Sequence, residues 1–149
     1  MTFACGIPPE RNFLAAHLTL FHHLPPHQRL VIDTLSDWAL RQKSFLLEVV
    51  GVVFTGKGVA YKIESSPLVK EHKALQKTFQ SWLTPQDKQG LWPHITVQNK
   101  VEPAVAKALQ AELAAAFQPF TITATGMIVW RYRGGPWEHE QSLIFKSDA

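Results

Sequence analysis

Apolar residues along the chain recur in two periods, and the two periods divide it into strands and helices. One-by-one alternation marks a strand over 14–21 ("LAAHLTLF") and another over 92–98 ("WPHITVQ"). Strands are also expected over 44–54 and 59–64, joined by the glycine turn "TGKG". Helical spacing appears over about 26–42, opened by Pro25-Pro26, with Leu30, Ile32, Leu35 and Trp38 on its apolar side. A second helix, about 67–83, starts behind Ser66-Pro67, carries Leu68, Leu75, Phe79 and Trp82, and stops at Thr84-Pro85. The loop "TPQDKQG" comes next, then the strand at 92–98, a third helix over about 103–117, and a hairpin of 120–130 with 138–145. Residues 1–11 show no period and read as a short extended lead-in. Helices interspersed with antiparallel hairpins predict an α+β fold of two small sheets, each covered by helices on its outer face.

Two of the expected strands break the apolar pattern in the same way. In "HLTL", His17 and Thr19 share one face and Leu18 and Leu20 the other; in "HITV", His94 and Thr96 oppose Ile95 and Val97. The segments downstream of the two motifs also match. His17 is succeeded by "FLLEVVG", ending at Gly51, and His94 by "FTITATG", ending at Gly126, at nearly equal intervals. An internal duplication accounts for this, with half-repeats of about 12–65 and 90–146 bridged by the helix at 67–83, in a single domain spanning 1–149.

Composition narrows the setting. With 149 residues, 46% hydrophobic and 18% charged, the chain has enough material for one real core and is not of disordered type. The one cysteine, Cys5, has no intramolecular partner, which favours a reducing compartment and a cytoplasmic location. No apolar run reaches membrane-spanning length, since 45–54 is interrupted by Glu48, and the start lacks the basic-then-apolar pattern of a secretory signal. A net charge of +3 leans mildly toward a phosphorylated or nucleic-acid partner, but no block of Lys or Arg suits a long duplex footprint. A monomer is expected.

Two imidazoles on opposite sides of one reacting centre form a general acid–base pair at neutral pH. Two threonine hydroxyls can donate hydrogen bonds to non-bridging phosphoryl oxygens as charge builds on them. In-line displacement at phosphorus needs one group to take a proton from the nucleophile and another to protonate the leaving oxygen, and the doubled motif supplies both. His17, Thr19, His94 and Thr96 are therefore the candidate catalytic residues. Neither motif holds a carboxylate, so no magnesium site and no cofactor is expected.

The two His-x-Thr-x tetrapeptides, the second preceded by Pro93, resemble the paired motifs of the two-histidine (2H) phosphoesterase superfamily, in particular bacterial 2′-5′ RNA ligases and RNA 2′,3′-cyclic phosphodiesterases. The resemblance runs from about residue 12 to the end. It implies a bilobal, pseudo-twofold fold with the four residues in a central cleft. It also implies metal-independent cleavage or formation of a phosphodiester involving a ribose 2′-oxygen, with RNA ends or small nucleotides as partners. Two departures stand out. Family members usually begin with a strand and helix ahead of the first motif, where this chain has only its lead-in. Many also carry Arg shortly after the second motif, where this chain has Gln98, Asn99 and Lys100.

Other residues are candidates of a lower order. Lys100, Arg131 and Arg133 could hold flanking phosphates, and Tyr61, Trp137, Tyr132 and Phe54 could stack a base, although solvation and core packing compete for each. The substrate contacts retained from these are Lys100, Arg131, Tyr61 and Trp137. His17, His22, His23 and His27 are dense enough to suggest a metal, but no acidic or Cys ligand adjoins them in sequence, so none is expected. His72 and His139 read as solvated surface residues, and Trp38 and Trp82 as core. The competing function class is an RNA- or nucleotide-binding protein whose 2H cleft is catalytically idle.

Overall fold

The computed structural model describes residues 2–4, 16–26, 28–131 and 138–146. Its elements run β1 (Thr2–Ala4), β2 (His17–Thr19), α1 (Arg29–Arg41), β3 (Phe45–Phe54), β4 (Val59–Glu64), α2 (Ser66–Phe79), β5 (His94–Gln98), α3 (Pro103–Ala116), β6 (Phe120–Ala124), β7 (Gly126–Arg131) and β8 (Glu138–Ile144). The α+β class is as expected, and the named strands pair antiparallel throughout. The two sheets expected from sequence are four-strand halves of one sheet, in the order β6-β3-β4-β5-β2-β1-β7-β8. They join at the centre, where Leu18 of β2 faces Ile95 of β5. The sheet also curls back on itself. Lys43 and Lys146 form a parallel bridge between the start of β3 and the end of β8, and Ser44 N–H donates to Lys146 O at 2.9 Å.

Two expectations about individual strands need correction. The lead-in is not merely extended chain: Thr2–Ala4 is an inner strand, paired with β2 on one side and β7 on the other. Three residues are too few to show a period, so the pattern could not announce it. The expected strand over 120–130 is two strands. β6 pairs with β3, and β7 pairs with β1 and β8 in the other half of the sheet. The break falls at Thr125, whose carbonyl accepts from Phe145 N–H at 2.9 Å. Beside it, Gly126 lets the backbone of Leu143 approach so closely that a Cβ would sit 2.6 Å from its carbonyl oxygen.

The helices cover the face of the sheet that carries Leu18 and Ile95. On α1 the buried stripe is Val31, Leu35, Trp38 and Ala39: Leu35 and Trp38 are inside as expected, while Val31 and Ala39 join them and Leu30 is left in solvent. Helix α2 buries Leu68, His72, Leu75 and Phe79, and its start is fixed by Ser65, whose hydroxyl accepts from Leu68 N–H at 3.3 Å. Alanine-rich α3 buries only Ala106 and packs on β3 and β4. Trp38 is core as expected, its indole N–H donating to Glu71 Oε2 at 2.7 Å, and Trp82 packs against the same cluster. Among the described residues no helix is long and apolar enough to cross a membrane.

Candidate active site

The two motifs lie on neighbouring strands, and pairing decides what meets what. With Leu18 opposite Ile95 in an antiparallel ladder, one step either way sets His17 across from Thr96 and Thr19 across from His94. Leu18 and Ile95 are 1% and 6% exposed, so their common face is the core face. Alternation then sends all four motif side chains to the opposite face. There His17, Thr19 and His94 are half-buried and Thr96 is exposed. The block has a histidine and a threonine on each strand, with the histidines on one diagonal.

His94 is held from just ahead of its own strand. Its Nδ1 lies 2.7 Å from Trp92 O, a distance at which an Nδ1–H donates to the carbonyl and leaves Nε2 as the outward atom. The Trp92 indole stacks on the imidazole, with centroids 4.2 Å apart and planes 24° from parallel. Pro93, buried between the two, keeps the ladder going by accepting from Ile63 N–H at 3.0 Å. Across the strand gap β4 sets Lys62 opposite His94 and Ala60 opposite Thr96. Beyond Thr96 a register shift sets Gln98 opposite Val59, ending the alternation. There Gly58 runs so close to Gln98 that a Cβ would overlap its carbonyl oxygen.

The expected substrate contacts distribute differently. Tyr61 is opposite Ile95, hence on the core face, where its ring lies 6.2 Å from both Phe117 and Phe120. Lys100 follows β5 in a turn with φ of 60°, its N–H bonded to Asn99 Oδ1 at 2.8 Å. Arg131 ends β7 opposite Glu138 and is half-buried. Trp137, Tyr132, Arg133 and His27 lie outside the described residues. Phe54, at the far end of β3, has Lys107 Nζ 5.6 Å from its ring centroid. Lys62 is the cation that sequence reasoning missed. Its Nζ is 3.5 Å from Glu64 Oε1 and its side chain is half-exposed. Only the strand register puts it beside His94, and no local pattern carries that.

The histidines outside the motifs whose side chains are described separate into two kinds. His72, expected in solvent, is 3% exposed, with Nε2 3.1 Å from Leu20 O and its ring stacked on Phe21 at 4.7 Å. Burial pushes its pKa down, against smaller upward pulls from that hydrogen bond and from Asp87. His22 and His23 do have an acidic neighbour, distant in sequence. Asp87 accepts their backbone N–H groups at 2.9 and 2.7 Å, and His22 Nδ1 lies 3.3 Å from Oδ1. Among the described residues no three His, Cys, Asp or Glu side chains gather as a metal site.

Comparison with known proteins bears on the fold and the family. No curated protein matches the chain significantly. Among solved structures it is similar to the crystal structure of TT0787 of Thermus thermophilus, with a TM-score of 0.66, 16% identity, and coverage of 97% of this chain and 83% of that one. At that identity the likeness is one of fold. The family model of the 2′-5′ RNA ligase superfamily matches residues 6–136, a span that holds both motif strands. The chain belongs to the 2′-5′ RNA ligase superfamily of 2H phosphoesterases.

Proposed function

We propose that the chain is a metal-independent phosphoesterase acting on 2′,3′-cyclic phosphates or 2′-5′ phosphodiesters of RNA ends or small nucleotides. The observation that carries this is the register Leu18–Ile95, which sets His17, Thr19, His94 and Thr96 on one face of adjacent strands. Diagonal cross-strand positions stand about 7–8 Å apart, room for one tetrahedral phosphate between two imidazole tips. In cyclic-phosphate opening, a water oxygen bonds to phosphorus as one imidazole takes its proton. The bond from phosphorus to a ribose oxygen breaks, and that oxygen takes a proton from the other imidazole. The Thr19 and Thr96 hydroxyls donate to the non-bridging oxygens, where charge accumulates. Lys62, opposite His94, would have to leave its partner Glu64 to meet the phosphate.

The test is hydrolysis of a nucleoside 2′,3′-cyclic phosphate in excess EDTA. Turnover should be the same with and without chelator and should fall by roughly a hundredfold or more in His17→Ala. Tight binding of the nucleotide with no turnover would mean that the face serves binding alone. Loss of turnover in EDTA, restored by a divalent ion, would overturn the acid–base mechanism.

A further inference from the structure

Trp92 has chemistry beyond holding His94. One face of its indole lies on the imidazole, yet the residue is 46% exposed. It stands two residues before His94 on the same side of the strand. The aromatic residues expected from sequence to meet a base are placed elsewhere or lie outside the described residues: Tyr61 is among core-face rings, and Phe54 is at the far end of β3 under Lys107. We infer that the outer face of Trp92 stacks the nucleobase of the substrate, making Trp92 the residue that favours nucleotides over base-free phosphodiesters. This rests on the proposed phosphoesterase reading. With phosphorus at the Nε2 edge of His94 and the indole nearly parallel to that ring, the ribose spans from phosphate to the far side of the indole. Base, indole and imidazole then form one stack. Every base has a π-face, so such a surface accepts all four and demands only that a base be present.

The experiment compares KM for a nucleoside 2′,3′-cyclic phosphate with KM for ribose 2′,3′-cyclic phosphate, which lacks the base. In the unaltered protein the nucleoside substrate should have a KM about tenfold lower, as one stacked base contributes. Trp92→Ala should lower kcat on both substrates, because His94 loses its ring contact, and should bring the two KM values together. Trp92→Phe should restore most of the KM difference. Equal KM values in the unaltered protein, or a difference that survives in Trp92→Ala, would overturn the assignment while turnover of the base-free compound leaves the phosphoesterase reading standing. Turnover of neither substrate would overturn both.

Discussion

His17 and His94 face the same way on different strands, and the work proposed for them is complementary. If one takes a proton as the other gives one, replacing either by Ala should lower kcat by roughly a hundredfold or more. The double variant should be far less than additively worse, because the rings act as a unit. Thr19→Ala or Thr96→Ala should cost about 2–4 kcal/mol in the transition state, the scale of one hydrogen bond to a developing charge. The rate should also pass through a maximum with pH, since the mechanism needs one ring neutral and the other protonated. A flat profile from pH 5 to 8, or His17→Ala with full turnover, would make the pair structural. The common face of these four residues was legible in the sequence because alternation is local: His-x-Thr in a strand fixes a face by itself. Lys62 was not legible, because its place beside His94 follows from β4 pairing with β5, a partnership no neighbouring residue encodes. Trp92 was visible only as part of "WPH", and its ring contact is a product of rotamer and burial rather than spacing.

The first motif strand is only three residues long, and what keeps its continuation in place comes from α2 and the loop after it. His72 on α2 bonds to Leu20 O, and Asp87 in the loop caps the N–H groups of His22 and His23. Asp87 is itself fixed, its carbonyl accepting from Gln76 Nε2 at 2.9 Å. Its side chain is 1% exposed, so Asp87→Ala would bury donors without acceptors and should destabilise the fold by about 3 kcal/mol in denaturant titrations. His72 gives this clasp a pH dependence of definite sign. Its folded pKa is depressed by burial below the unfolded value of 6.5, so between those values the unfolded chain binds more protons than the folded one. The contribution of neutral His72 is fully present above pH 6.5 and is lost as pH falls through the folded pKa. Unfolding midpoints measured from pH 7.5 to 5 should decline, and His72→Gln should flatten that decline. An unchanged slope in the variant would show that other groups set it. The elements themselves were largely legible: β4 and the start of α3 fall where the pattern put them, since turn glycines and Pro103 punctuate the chain. The switch at Thr125 was not, because β6 and β7 each read as continuous strand and only their different partners separate them.

Across the whole molecule, the strand order is symmetric about the β5–β2 junction, four strands on each side, and the two motifs flank that line. Their relative position depends on few contacts. On the core face the junction is the Leu18–Ile95 pair; the curl of the sheet is fixed far along the strand order, where Lys146 O accepts from Ser44 N–H. Core residues with wide contact tolerate loss of methyl groups at a cost in stability alone, whereas a residue that sets the spacing of the two motif strands should add a cost in rate. Ile95→Ala should therefore destabilise by about 2–5 kcal/mol, as a cavity under a well-packed core does. It should also lower kcat at temperatures well below its own unfolding midpoint, where every molecule is folded. Leu47→Ala, equally buried but remote from the junction along the sheet order, is the control. It should lose comparable stability and keep its kcat. Equal kcat losses in the two variants at matched distance from their midpoints would show that the junction does not set the alignment. Loss confined to Ile95→Ala would show that the imidazoles are held at working distance by the apolar pair directly beneath them.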